Sequence, residues 1–179
     1  MHRPLLAGLG LLVPCFAIAP GEEPRSPTHD VVVARSTLTL EGARVVLAAA
    51  VAHARAASTT GAFAVVDGAG NLVAFERVDG TFPASSRIAV GKAFTAASFG
   101  FPTAKFEASI REGRTPLIDL ADTLPDFTPL KGGVSIRVDG HVVGAIGVSG
   151  AASAEQDEEI AFAGARALDP TVGTASSGH

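Results

Sequence analysis

The chain of 179 residues has no tryptophan and no tyrosine, and it has a single cysteine and a single methionine. Proteins that bind RNA or DNA by base stacking rely on aromatic side chains and on a basic surface. Of phenylalanine, tryptophan and tyrosine, this chain contains only phenylalanine, and its formal net charge is −4. We therefore predict that nucleic acid is not a partner.

Both sulfur-containing residues lie in an N-terminal leader. A basic start, an apolar run from Leu5 to Ile18 and small residues up to Ala19 are typical of an export signal. The run of about 14 residues is shorter than the ~20 that a membrane-spanning helix needs. We interpret residues 1–19 as a signal peptide, which predicts a periplasmic or extracellular protein without a membrane span. An uncleaved leader and a lipoprotein anchored at Cys15 are the alternatives.

Cleavage after Ala19 would leave a chain with neither cysteine nor methionine. Such a chain cannot form disulfides, Fe–S clusters, thiolate nucleophiles or haem ligated by cysteine or methionine. The polar, proline-bearing residues 20–37 predict a linker, residues 38–168 one domain, and residues 169–179 a disordered tail.

Local patterns predict a definite order of elements within this domain. They indicate a helix from Thr39 to about Ser58, a hairpin of Ala62–Val66 and Leu72–Arg77, a helix capped near Ser85 and ended by Gly100 and Pro102, a short helix capped by Thr103 and running to about Arg111, a long loop Glu112–Lys131, a hairpin of Gly133–Val138 and His141–Ser149, and a helix from the capping box at Ser153 to about Leu168. This order does not fit a parallel sheet built from βαβ units. It predicts an α+β fold, with helices packed on an antiparallel sheet.

The two strands of the second hairpin differ in their patterns. Residues 134–138 alternate between apolar and polar, which predicts a strand with one face in water. Residues 142–148 are almost wholly apolar, which predicts a central strand covered on both faces. Glycines at 144, 147 and 150 are interpreted as sites of close approach for a helix or subunit, in preference to a phosphate cradle, because their spacing matches no nucleotide motif.

Motifs for metal binding and for nucleophilic catalysis are weak. No H-x-x-x-H, H-E-x-x-H or C-x-x-C pattern occurs, so no metal site is predicted. His53 on the first helix is a weak ligand candidate, with a structural role as the alternative. Ser149 lacks the G-x-S-x-G context of a nucleophile elbow. Asp79 and Asp157 are weak candidates for an acid–base role.

Charge is concentrated in one segment. Residues 87–114 hold five basic and two acidic side chains in a chain that is acidic overall. The same segment is rich in phenylalanine, which suits an amphipathic anion whose apolar body contacts the rings and whose carboxylates pair with Lys or Arg. The alternative is that these bases pair with acids on other elements or across a subunit interface.

Several ordered motifs together resemble the GlcG/HbpS family, the haem-degrading domain family. They are Ala64-Val-Val-Asp-Gly-Ala-Gly-Asn-Leu-Val73, Asp79-Gly80, Pro83, Lys92-Ala-Phe-Thr-Ala-Ala97, Pro102-Thr103, Gly132-Gly-Val134, Gly144-Ala-Ile-Gly-Val-Ser-Gly150 and Asp157-Glu158. The resemblance covers about residues 38–168. It implies an α-β-α sandwich of profilin-like type and a homo-oligomer, from dimer to octamer. Relatives include exported haem-binding proteins and the C-terminal domain of PduO-type cobalamin adenosyltransferases.

The resemblance also implies haem as a cofactor, bound near the segment from Lys92 to Thr103. A threonine near the helix end is implicated, which indicates Thr103 or, less well, Thr95. The candidate binding residues are Lys92, Lys105 and Arg87 for carboxylates, with Thr95, Thr103, Phe99 and Phe101 lining the pocket.

Three hypotheses follow. The leading one is an exported, oligomeric protein that binds a small ligand, with haem or a related tetrapyrrole favoured. The second is an enzyme that acts on a small organic acid or degrades haem. The third is a scaffolding oligomer without a ligand, in which glycines and bases serve subunit contacts.

Overall fold

A computed structural model describes residues 33–171. The predicted signal peptide, most of the predicted linker and the end of the predicted tail lie outside these residues. The described elements are α1 (Leu40–Ala56), β1 (Ala62–Asp67), β2 (Leu72–Arg77), α2 (Ser85–Phe99), α3 (Ala104–Arg111), a 3-10 helix (Thr115–Asp119), α4 (Leu120–Thr123), β3 (Gly133–Val138), β4 (His141–Ser149) and α5 (Ala154–Arg166). None of the helices within residues 33–171 is long and apolar enough to cross a membrane.

The strands form one antiparallel sheet in the order β2-β1-β4-β3. Each of the two hairpins pairs internally, and β1 pairs with β4 to join them. The α+β prediction is confirmed, and so is the central position predicted for β4. Asp139 and Gly140 both have positive φ, as a two-residue turn that matches the twist of the strands requires.

Alternation along β1 divides the core into two layers. Phe63 and Val65 share one core cluster with buried residues of α1 and α5, whereas Ala62, Ala64 and Val66 share the other with α2. The result is an α-β-α sandwich, as the resemblance implied. The first layer is filled by large aliphatic side chains and the second mainly by alanines, so α2 lies close to the sheet.

Gly147 on β4 lets α2 make this approach. A Cβ atom at this position would contact the carbonyl oxygen of Ala89 and the amide nitrogen of Ala93, both in the backbone of α2. A side chain here would force the helix away from the sheet, because backbone atoms cannot move aside independently. The interpretation of Gly147 as a site of close helix approach is confirmed.

The prediction that β3 has one face in water is only partly correct. Of the two polar residues in the alternating pattern, Arg137 is exposed, but Ser135 is only 4 % exposed. Because α2 also contacts β3, it covers the face that carries Ser135. Alternation correctly indicated a strand, but a polar residue as small as serine can be covered by a neighbouring helix.

The predicted caps were partly correct. Thr39 accepts a hydrogen bond from the amide of Gly42 at 3.1 Å, and Ser153 accepts one from the amide of Gln156 at 3.2 Å. Ser85 does not cap α2, because its hydroxyl donates to the carbonyl of Phe82 at 2.6 Å. Thr103 likewise makes no capping bond for α3, since its hydroxyl bonds to the loop that follows.

The segment predicted as a long loop, residues 112–131, contains the 3-10 helix and α4. Both are short, and no side chain of either is buried. The end of this segment is fixed to the domain, because the amide of Lys131 donates to Glu107 Oε2 at 2.7 Å.

Candidate functional site

A buried ion pair joins the helices on the two faces of the sheet. Lys92 on α2 donates from Nζ to Asp157 Oδ2 on α5 at 2.9 Å and to the carbonyl of Val148 at 2.8 Å. Asp157 also accepts a hydrogen bond on Oδ1 from the amide of Ala151 at 3.0 Å. The Lys92 and Asp157 side chains are only 3 % and 9 % exposed, respectively.

Gly132, just before β3, leaves room for this pair. It has φ of +113°, in the left-handed region that favours glycine. A Cβ atom here would lie 3.0 Å from Lys92 Nζ and 2.9 Å from Asp157 Cβ. Gly132, the first of the two glycines in the Gly132-Gly-Val134 motif, therefore borders the ion pair.

A cleft of about 770 Å³ opens above the pair, and we call it the ion-pair cleft. This volume lies within the range of small-molecule sites. Much of its wall is apolar, and it is lined by Phe82, Ile88, Lys92, Glu107, Ile110, Arg111, Ile118, Pro129, Leu130, Lys131, Ser149, Gly150, Ala151, Ser153, Ala154 and Asp157. The wall includes exposed apolar side chains from the segment 112–131 and from the turn before α2, and the half-buried Ile110 of α3.

The rim of the ion-pair cleft carries two further ion pairs. Arg111 lies 2.6 Å from Glu107 Oε1, and Lys131 Nζ lies 3.1 Å from Glu155 Oε1. Arg111 and Glu155 are largely exposed, so these pairs are weak and can exchange a partner at low cost. Hydrogen bonding to Glu155 raises the pKa of Lys131, which therefore stays charged at neutral pH.

Glu158 lies one turn into α5, beside this rim. Its pKa is raised above the usual value for glutamate, chiefly because burial disfavours the charged form. Glu107 and Glu155 raise the pKa further by repulsion, whereas attraction to Lys131 lowers it. The rim is therefore a small network of interacting charges.

A second cleft, of about 620 Å³, lies on the same side of the sheet. Its lining is Leu72, Phe75, Ser86, Arg87, Ile88, Val90, Gly91, Pro125, Asp126 and Thr128. Arg87, a predicted carboxylate partner, is exposed in this second cleft. Arg87 is the one basic residue among the described residues that line the second cleft, whereas three basic residues line the ion-pair cleft.

The two predicted ligand threonines are buried, and their hydroxyls bond to the backbone. Thr95 Oγ1 donates to the carbonyl of Gly91 at 2.8 Å and accepts from the amide of Thr128 at 2.8 Å. Thr103 Oγ1 donates to the carbonyl of Leu130 at 2.6 Å and accepts from the amide of Gly133 at 2.9 Å. Neither residue lines a described cleft. Both fix the end of the segment 112–131 against α2 and β3.

The predicted aromatic residues form a cluster of their own. Phe99 lies 4.8 Å from Phe106 and 5.9 Å from Phe127 between ring centroids, and Phe101 lies 5.0 Å from Phe106. Lys105 Nζ lies 5.5 Å from the Phe101 centroid, within the range of a cation–π contact. This cluster lies outside the described linings of both clefts.

The remaining candidates do not meet at one place. His53 is exposed on α1, which packs on the face of the sheet opposite α2, and Asp79 is exposed in the turn after β2. Of the two acid–base candidates, only Asp157 lines a cleft. Within residues 33–171, no group of three or more His, Cys, Asp or Glu residues could hold a metal ion.

Comparison with known proteins identifies the family. The model of the HbpS-like haem-degrading proteins matches residues 38–166. The chain belongs to this family. It is 37 % identical over 112 residues to protein GlcG of Escherichia coli K12, which covers 63 % of this chain and 81 % of GlcG.

Solved structures of the HbpS-like family share the fold. A double mutant of Streptomyces reticuli HbpS is 37 % identical with a TM-score of 0.70, and the match covers 83 % of this chain and 99 % of that one. A PduOC:haem complex is 27 % identical with a TM-score of 0.67, covering 74 % and 96 % of the two chains. The HbpS-like family thus includes a member whose structure has been solved with haem.

Sequence reasoning missed most of the apolar wall and the rim. Ile110, Ile118, Leu130 and Lys131 line the ion-pair cleft but were not candidates. One signal for Ile118 and Leu130 was available in the sequence, because a long segment between a helix and a strand often covers or lines a site.

Proposed function

We propose that this HbpS-like protein binds a small amphipathic anion in the ion-pair cleft, with haem or a related tetrapyrrole as the favoured ligand. The observation that carries the proposal is an apolar cleft with cationic side chains at its rim. Apolar walls suit the body of a macrocycle, and Arg111 and Lys131 suit its carboxylates because charge-assisted hydrogen bonds are the stronger kind.

The described lining fits the macrocycle and its carboxylates better than it fits the iron. Histidine, tyrosine, cysteine and methionine, the usual protein ligands of haem iron, are absent from the residues that line the described cleft. His53, the weak candidate, lies on the opposite face of the sheet. We therefore propose that affinity comes mainly from apolar contact and from carboxylate pairing at the rim.

The role of Lys92 in this proposal differs from the role that the sequence predicted, which was to pair with a carboxylate of the ligand. Its ammonium group is already paired with Asp157, so it supports the floor of the cleft instead of supplying a free charge. Replacing Lys92 with glutamate would place two carboxylates together in the interior. Loss of ligand binding in that variant would therefore report misfolding as readily as a lost contact.

The test uses two variants that are matched in exposure. Ile118 and Leu72 are each 52 % exposed, and each lines one of the two clefts. Haemin is titrated against the wild type, Ile118→Asp and Leu72→Asp while the Soret band is followed. Burial of an aliphatic side chain contributes about 1.5–3 kcal/mol, so Ile118→Asp is expected to weaken binding about 10- to 100-fold.

Leu72→Asp is expected to bind haemin as the wild type does. The reverse pattern would move the site to the second cleft. A weak, non-saturating change shared by all three proteins would contradict haem binding and favour a small organic acid or a scaffolding role.

Export and assembly also remain proposals. Exposed apolar residues at Leu72 and Phe75 on the edge strand β2 are compatible with a subunit contact in a homo-oligomer. Light scattering with size-exclusion chromatography measures the assembly, and a monomer at micromolar concentration would contradict it. Fractionation of cells that express the full chain tests the predicted periplasmic or extracellular location.

A further inference from the structure

Ser149 has a hydroxyl that is accessible from the ion-pair cleft. The residue ends β4 and is only 3 % exposed. Among residues 33–171 its hydroxyl has no hydrogen-bond partner, although the residue lines the cleft. A hydroxyl that is accessible from a cleft and has no protein partner bonds to water in the free protein, and an oxygen of a ligand can take the place of that water.

The ammonium group of Lys92, at the floor of the same cleft, has one N–H donor that is not used in a hydrogen bond. Lysine carries three N–H donors, and Lys92 uses two of them, for Asp157 and for the carbonyl of Val148. Lys92 and Ser149 both belong to the described lining of the ion-pair cleft. The floor therefore presents donors, and an oxygen acceptor is the group that matches them.

The charge at the floor determines which acceptors fit. The positive charge of Lys92 is opposed by Asp157 at 2.9 Å, so the pair as a whole is neutral. A carboxylate placed here would lose its hydration and gain little net attraction in return. A neutral oxygen loses less hydration and can still accept from both donors.

We propose that Ser149 and Lys92 form a subsite for an oxygen acceptor at the end of the ligand that enters the cleft, and that the subsite accepts a neutral oxygen at least as well as a charged one. This inference rests on the proposed function, because it assumes that the ion-pair cleft holds a ligand. It adds a specificity-determining residue, Ser149, and separates the buried ion pair at the floor from the more exposed ion pairs at the rim.

The first variant is Ser149→Ala, with Ser135→Ala as its control. Ser135 is a buried serine on the neighbouring strand β3, and it lines neither described cleft. Because Ser149 has no partner in the free protein, its replacement is expected to leave the midpoint of thermal unfolding unchanged or raised. A loss of ligand affinity in that variant would then report the contact with the ligand and not damage to the fold.

Two fragments with the same ring distinguish the two kinds of acceptor. Para-fluorobenzoate carries a charged oxygen and para-fluorobenzamide a neutral one, and fluorine NMR follows both against the intact protein. Ser149→Ala is expected to weaken both fragments about 3- to 10-fold, as for the loss of one hydrogen bond. Ser135→Ala is expected to bind both as the wild type does.

Two results would overturn the subsite. The first is equal affinity of Ser149→Ala and the wild type for the fragments, and the second is binding of the benzoate without the benzamide. Haemin is titrated in parallel to separate this inference from the proposed function. If fragment binding depends on Ser149 but haemin does not bind saturably, the subsite is supported and haem is contradicted as the ligand. If neither the fragments nor haemin bind, both the subsite and the proposed function are contradicted.

Discussion

Replacing Asp157 with asparagine keeps the size of the side chain and removes the negative charge beside Lys92. The ammonium group would remain 3 % exposed, held only by the carbonyl of Val148 and by a neutral amide. Removing one partner of a buried ion pair typically costs about 3–5 kcal/mol. A domain has about 5–15 kcal/mol of stability in all, so Asp157→Asn is expected to lose a large part of it.

The assay is urea denaturation followed by far-UV circular dichroism, because the chain has no tryptophan or tyrosine to report by fluorescence. A loss of that size corresponds to a decrease of roughly 10–20 °C in Tm. The double variant Lys92→Met/Asp157→Asn removes the unpaired charge as well. It is expected to recover most of the lost stability, because the main cost of breaking a buried pair is the charge left without a partner, and this variant leaves none.

The exposed pair of Lys131 and Glu155 provides the control. Glu155→Gln is expected to be indistinguishable from the wild type, since exposed pairs contribute little. If Asp157→Asn were within about 1 kcal/mol of the wild type, Lys92 would not be confined as the structure indicates. The description of Lys92 and Asp157 as a buried ion pair at the floor of the cleft would then be wrong.

Four further predictions concern other parts of the molecule. Gly147→Ala is expected to cost about 3 kcal/mol or more, measured by urea denaturation, because the added methyl meets the backbone of α2; a smaller loss would show that α2 can shift. Thr103→Val is expected to cost about 1–3 kcal/mol, since a buried amide and a partly buried carbonyl lose their partner, and limited proteolysis should show a looser segment 112–131. Glu158→Gln is expected to be more stable than the wild type at pH 7. Because the pKa of Glu158 is raised in the folded protein, its protonated form contributes stability below the unfolded pKa of 4.5, and this contribution is lost as the pH rises through the folded pKa. Stability that depends on pH in the same way in both proteins would contradict this. His53→Ala is expected to leave the haemin spectrum unchanged, and a shifted Soret band would make this residue a ligand.

Local chemistry in the sequence was sufficient to predict the order and bounds of most elements. Thr39 and Ser153 cap their helices through bonds to residues three positions away, and Asp139-Gly140 has the positive φ values that its turn needs. These interactions span few residues, so a pattern in the sequence records them. The apolar character of β4 also predicted its central place correctly.

The sequence could not show what each buried polar side chain contacts. Lys92 lies in a segment with a surplus of basic residues, which suggested a ligand, but its partner is 65 positions away. The hydroxyls of Thr95 and Thr103 are bound by backbone groups about 30 residues further along. Such pairs depend on how the helices dock on the two faces of the sheet.

The sequence by itself therefore determined the α+β class, the antiparallel hairpins and the family, because helix caps, turn residues and the period of apolar residues act over short distances. The tertiary structure alone decided the site. Only after α2 and α5 pack on opposite faces do Lys92 and Asp157 meet at the end of β4, with Ser149 opening onto the cleft above them. The physical reason is that burial and pairing of polar groups depend on the surroundings in space, which the order of residues does not record locally.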